Sequence, residues 1–84
     1  MDKPVEREKL YAEIKKAYSG GKEMTARECA EVLKNKGIVH FGIRSEVQPR
    51  ISEMLKLGWF ETIGSKYDLM TQKTVTVYRM VENG

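Results

Sequence analysis

The stretch RSEVQPRISEMLKLGWFE, residues 44–61, changes its hydrophobic period partway through. Val47, Ile51, Met54 and Leu55 recur at the three- and four-residue spacing of one helix face. After Gly58 the period drops to about two, and Trp59 and Phe60 open a run suited to a strand. A helix therefore feeds directly into a β-element, which makes the chain α+β. Pro49 is the one residue out of pattern. If Ser45 is the N-cap, with Gln48 at N3 of a weak capping box, Pro49 falls at N4 and forfeits only the bond to the Ser45 carbonyl. If Gln48 is the cap, Pro49 stands at N1 and costs nothing. Either register leaves proline in the first turn of a helix over about residues 45–57, where it is tolerated.

N-terminal to this stretch, Thr25-Ala26-Arg27-Glu28 fits a capping box, with Met24 and Cys29 at the flanking apolar positions. Ala26, Cys29, Ala30 and Leu33 then give a second helix, about 25–36, a narrow face of mostly small side chains that Gly37 ends. An earlier helix, about 4–18, is signalled by Pro4 at a first-turn position and by Leu10, Ile14, Ala17 and Tyr18, with Gly20-Gly21 as its stop. Residues 38–44 join the second and third helices by an unusually apolar connection, and Ile38, Phe41 and Ile43 are expected to tuck under the domain. C-terminally, residues 59–63 and 74–81 read as strands, with a polar loop over 64–73 between them. Glu23–Met24 is a candidate for a third ribbon.

Eighty-four residues suit one small domain with a single core. No stretch approaches the roughly 18 apolar residues of a membrane span, and the polar N-terminus does not read as a signal peptide. One cysteine and no zinc-spaced Cys/His set point to a reducing, cytoplasmic setting without a metal. Cys29 reads as a small buried hydrophobe, and His40 has no partner at ligand spacing. No paired carboxylates, nucleophile–base pair or phosphate loop is present, so neither catalysis nor a cofactor is expected. No small-molecule pocket is visible. The net charge of +3, with both signs interspersed, permits a polyanionic partner without requiring one.

The order helix, optional strand, helix, helix, hairpin resembles the winged helix-turn-helix superfamily over about residues 5–81. The most specific part is EVQPRISEMLKLGWFE, residues 46–61, running straight into the hairpin. The ending TQKTVTVYRMV is similar to that of small phage and prophage winged-helix proteins, with Thr71-Gln72-Lys73 where Thr-Gly-Arg is expected. The resemblance implies a three-helix bundle with a C-terminal β-hairpin wing, and a duplex DNA-binding function of the kind served by small transcriptional regulators or phage control proteins. The third helix would enter the major groove and the wing would lie on the backbone.

At 100° per residue, with Val47, Ile51 and Leu55 inward, Ser45, Pro49, Ser52 and Lys56 turn outward. Gln48 lies on one flank and Arg50 on the other. Gln48 suits adenine, Arg50 guanine, Ser45 and Ser52 either base or phosphate, and Pro49 a thymine methyl. Arg44, Lys66 and Lys73 would contact phosphates, with solvated loop residues as the plain alternative. Glu46 and Glu53 count against close approach, although Glu53 has Arg50 and Lys56 at pairing distance along the helix. Phe60 is expected in the core and Trp59 at its edge. A homodimer through the first helix or the Trp59 region is the means by which so small a module would gain affinity. The rival reading is a winged-helix protein–protein interaction module, or an adaptor, without DNA binding.

Overall fold

The computed structural model describes residues 7–81, in the element order α1 (Arg7–Ala17), β1 (Glu23–Thr25), α2 (Ala26–Asn35), α3 (Gln48–Lys56), β2 (Phe60–Asp68) and β3 (Lys73–Met80). A 3-10 turn over Arg44–Glu46 precedes α3. The strands form one antiparallel sheet in the order β1-β3-β2. The described residues thus make a small α+β domain of three α-helices and a three-stranded antiparallel sheet. The expected helix start at Pro4 lies outside them. None of the described helices is long and apolar enough to cross a membrane.

The core sits between the helices and the sheet. Leu10, Ile14, Ala17 and Tyr18 meet Ala26, Cys29, Ala30 and Leu33 of α2, while Val47, Ile51 and Met54 close the space from α3 and Phe60 and Tyr78 from the strands. The small residues of α2 let helices approach closely. Thr25 caps α2 as its motif indicates, accepting from the Glu28 amide while the Glu28 carboxylate accepts from the Thr25 amide. Tyr18 is fully buried, so its hydroxyl needs a partner. It donates to the Met24 carbonyl at 3.1 Å. Burial pushes the Cys29 thiol up to about 12, so it stays protonated and unreactive. Phe60 is buried, and half-buried Trp59 packs edge-on against Tyr11 with the Lys15 ammonium over its ring.

Three boundaries differ from the sequence reading. First, neither register proposed for α3 holds. Val47 is the N-cap, with no side-chain cap bond, so Pro49 stands at N2. The first helical bond runs from the Ile51 amide to the Val47 carbonyl at 2.9 Å, and proline at N2 displaces no donor that had a partner. Second, β2 runs on through residues 64–68, expected as loop, with a bulge between Thr62 and Gly64. The loop is only residues 69–72. That outer ribbon is largely exposed, so no alternation of polar and apolar residues marked it. Third, Phe41 and Ile43 do not tuck under the domain; they are 69% and 49% exposed.

Candidate functional site

Glu46 explains the turned-out connection. Its carboxylate accepts from the backbone amides of His40, Phe41 and Ile43 at 3.0–3.3 Å, drawing the polar backbone inward and leaving the side chains outside. Gly42 has a φ of +69°, which favours glycine, and a Cβ there would stand 3.0 Å from the Lys34 side chain, which would have to give way slightly. Desolvation works against the Glu46 charge, but amide donation outweighs it and holds this carboxyl below its ordinary value. The residue expected to repel a duplex is instead turned back on its own loop.

Asp68 plays the matching part in the hairpin. It is buried, and it accepts from Arg27 Nε at 2.6 Å, from the Met70 amide at 3.1 Å and from Thr71 Oγ1 at 3.2 Å. The Arg27 guanidinium holds its carboxyl below the usual range, against a smaller desolvation effect. One carboxylate thereby shapes the turn and ties it to α2. The turn lifts Leu69 and Met70 into solvent, 80% and 78% exposed.

Between these two fixed points lies a groove of about 830 Å³, walled by α2, residues 41–45, the first turn of α3 and the hairpin turn. A cleft of about 250 Å³ continues along β3 and shares Arg27, Arg44, Gln48 and Thr71 with it. A sizeable concavity is therefore present where the sequence suggested none.

The nine candidate residues divide. Arg44, Ser45, Pro49 and Lys56 are exposed on the 3-10 turn and α3, Ser52 is partly covered, and Lys73 is exposed where β3 begins. Gln48 is drawn inward: its Nε2 donates to Tyr78 Oη at 3.2 Å and Ser52 Oγ at 3.3 Å, and its Oε1 accepts from Arg44 Nε at 3.1 Å. Arg50 turns toward α1. Its Nε lies 2.6 Å from Glu53 Oε1, a charge contact without hydrogen-bond alignment, and Tyr11 donates to the same oxygen at 2.8 Å. Lys66 stands within β2, not in a loop, and its ammonium meets Glu28 at 2.5 Å. Desolvation works to raise the Glu28 pKa, but that contact and the Thr25 amide outweigh it and lower it. Arg50 and Lys66 thus neutralise their own carboxylates.

The sequence reading missed Arg27, Lys34, Asp68, Met70 and Tyr78 as site residues. Only Asp68 carried a local signal, as an aspartate two residues before the amide it caps. Among the described residues, no group of three or more His, Cys, Asp or Glu side chains is placed to hold a metal ion. Comparison with known family models, curated proteins and solved structures finds no match for this chain.

Proposed function

We propose that this chain is a winged-helix protein that binds duplex DNA, with the exposed side of α3 toward the major groove and the β2–β3 hairpin on the backbone, in the manner of a small transcriptional regulator. The element order and the β1-β3-β2 sheet are compatible with that fold. The observation that carries the reading is the distribution of paired charge. All four carboxylates from the 3-10 turn to the hairpin are engaged: Glu46 by amides, Glu53 by Arg50, Glu61 by Arg79 and Asp68 by Arg27. Arg44, Lys56 and Lys73 have no carboxylate partner among the described residues and stand in solvent. From the 3-10 turn to the hairpin, every carboxylate is thus covered while these three cations keep their charge free.

In this reading Arg44, Lys56 and Lys73 contact phosphates, Ser45 and Ser52 reach phosphate or base edge, and Pro49 packs on a thymine methyl. Gln48 is bonded to the sheet, so its first role is to set α3 against the hairpin. Arg50 and Lys66 act through the acids they cover. The test is a fluorescence-anisotropy titration of labelled random-sequence duplex over a salt series. Three phosphate contacts give a slope of log K against log salt of roughly −3, and Arg44→Ala, Lys56→Ala and Lys73→Ala each reduce it by about 1. Absence of binding at low salt, or a slope indifferent to all three changes, would overturn the proposal.

A further inference from the structure

The groove beside α3 has a composition that duplex DNA does not account for. Phe41 and Ile43 from the connection, Pro49 from α3 and Met70 from the hairpin turn line it together. Three separate parts of the chain thus bring apolar side chains to one concavity, and Phe41 and Met70 have most of their surface in water. Such a concentration of apolar surface marks an interaction site more often than chance exposure does. Both walls are held in place before any ligand arrives, one by Glu46 on the amides of 40–43 and the other by Asp68 on Arg27. A preformed groove loses little conformational freedom on binding.

We propose that this groove docks a short acidic amphipathic segment of a partner protein. Its apolar side chains lie against Phe41, Ile43, Pro49 and Met70, and its carboxylates reach Lys34 and Arg44. The charge argument selects this occupant. Lys34 and Arg44 border the groove, and neither has a carboxylate partner among the described residues. Glu31, the groove's one acidic lining residue, is already paired with Arg27 at 3.3 Å. The lining therefore joins free cations to apolar side chains, the complement of a helix or strand that alternates carboxylates with leucine-like residues. Hydrated phosphates have nothing to gain from those apolar side chains. A two-fold contact with a second copy would set Lys34 and Arg44 against the same cations. Because Arg44 and Pro49 also belong to the face assigned to DNA, the partner and the duplex would exclude each other. That consequence alone rests on the proposed function; the docking stands on the groove.

The test is selection of a random dodecapeptide library on the intact protein, followed by affinity measurements on the recovered peptides. The expected peptides combine Asp or Glu with Leu, Ile, Phe or Trp, and they weaken with salt. They lose about tenfold or more on Met70→Asp and on Lys34→Glu. Both substitutions are at exposed positions, and circular dichroism checks that the variants fold. Recovery of no peptide sensitive to these variants, or of peptides without acidic residues, would overturn the proposal. A dimer in sedimentation that Met70→Asp dissociates would assign the groove to a second copy instead. Loss of duplex binding in Met70→Asp, with no peptide recovered, would assign it to DNA. Acidic peptides that bind a protein with no affinity for duplex would refute the proposed function and leave the docking site standing.

Discussion

Gln72 is the residue where local strain is most visible. It alone among the described non-glycine residues has a positive φ, +55°, at the place where the resemblance leads one to expect glycine. The turn keeps its shape because the Gln72 amide donates to the Asp68 carbonyl at 2.7 Å and Asp68 fixes the residues between. A left-handed L-residue costs about 1–2 kcal/mol, of which glycine's extra entropy in the unfolded chain returns roughly half. Gln72→Gly is therefore expected to raise the denaturation midpoint by the equivalent of about 0.5–1 kcal/mol; a loss of stability would show that the glutamine side chain holds the turn. Gln48 illustrates the opposite case, a residue that looks like a base reader and is bonded internally. Removing its amide leaves the hydroxyl of buried Tyr78 without that donor. Gln48→Ala is expected to lose about 1–2 kcal/mol in denaturant unfolding. An unchanged midpoint would return Gln48 to the role of a free surface side chain.

At the scale of elements, α3 shows how a proline can sit in a helix without weakening it. The 3-10 turn lets the chain enter through Val47, so the amide that Pro49 lacks would have had no helical acceptor. Pro49→Ala should therefore change stability by less than about 1 kcal/mol, and in the destabilising direction, because proline restricts the unfolded chain. A larger loss in thermal unfolding would mean the ring itself supports the groove. This helix was legible from Val47, Ile51 and Met54, and α2 from Thr25 and Glu28, because periodicity and capping act over three or four residues. The outer hairpin was not, since Gly64, Ser65 and Lys66 stand in solvent and carry no pattern. The free cations at Arg44, Lys56 and Lys73 could be listed from the sequence, but not the pairing that sets them apart. Arg27 meets Asp68 across 41 residues and Lys66 meets Glu28 across 38, contacts that only the folded chain makes. Phe41 and Ile43 were read as core for the same reason: the Glu46 carboxylate that turns them out is invisible to hydropathy.

Across the whole molecule, three carboxylates secure three junctions, and this makes the fold sensitive to acid. Glu28 joins the cap of α2 to Lys66 in β2, Glu46 gathers the connection onto the start of α3, and Asp68 ties the hairpin turn to α2. Each has its pKa lowered in the folded protein: Glu28 and Glu46 despite desolvation, Asp68 chiefly through its bond from Arg27. A lowered folded pKa means that the charged form is favoured by folding. The stability it contributes is complete above the unfolded values, 4.5 for the glutamates and 3.8 for the aspartate, and disappears as pH falls through the lower folded ones. Tyr18 and Cys29 are both raised by burial and stay protonated throughout this range, so they add no slope of their own. The melting temperature is thus expected to change little between neutral pH and about pH 5, then to fall steadily on further acidification. Glu46→Gln should start from a lower melting temperature at neutral pH and show a shallower decline below pH 5, because one of the titrating ties is already gone. Asp68→Asn should do the same and, in addition, loosen residues 69–72 in amide hydrogen exchange before the helices open. If both variants follow the parent's acid profile in parallel, the junctions are held by packing, and the fixed walls of the groove would need another cause.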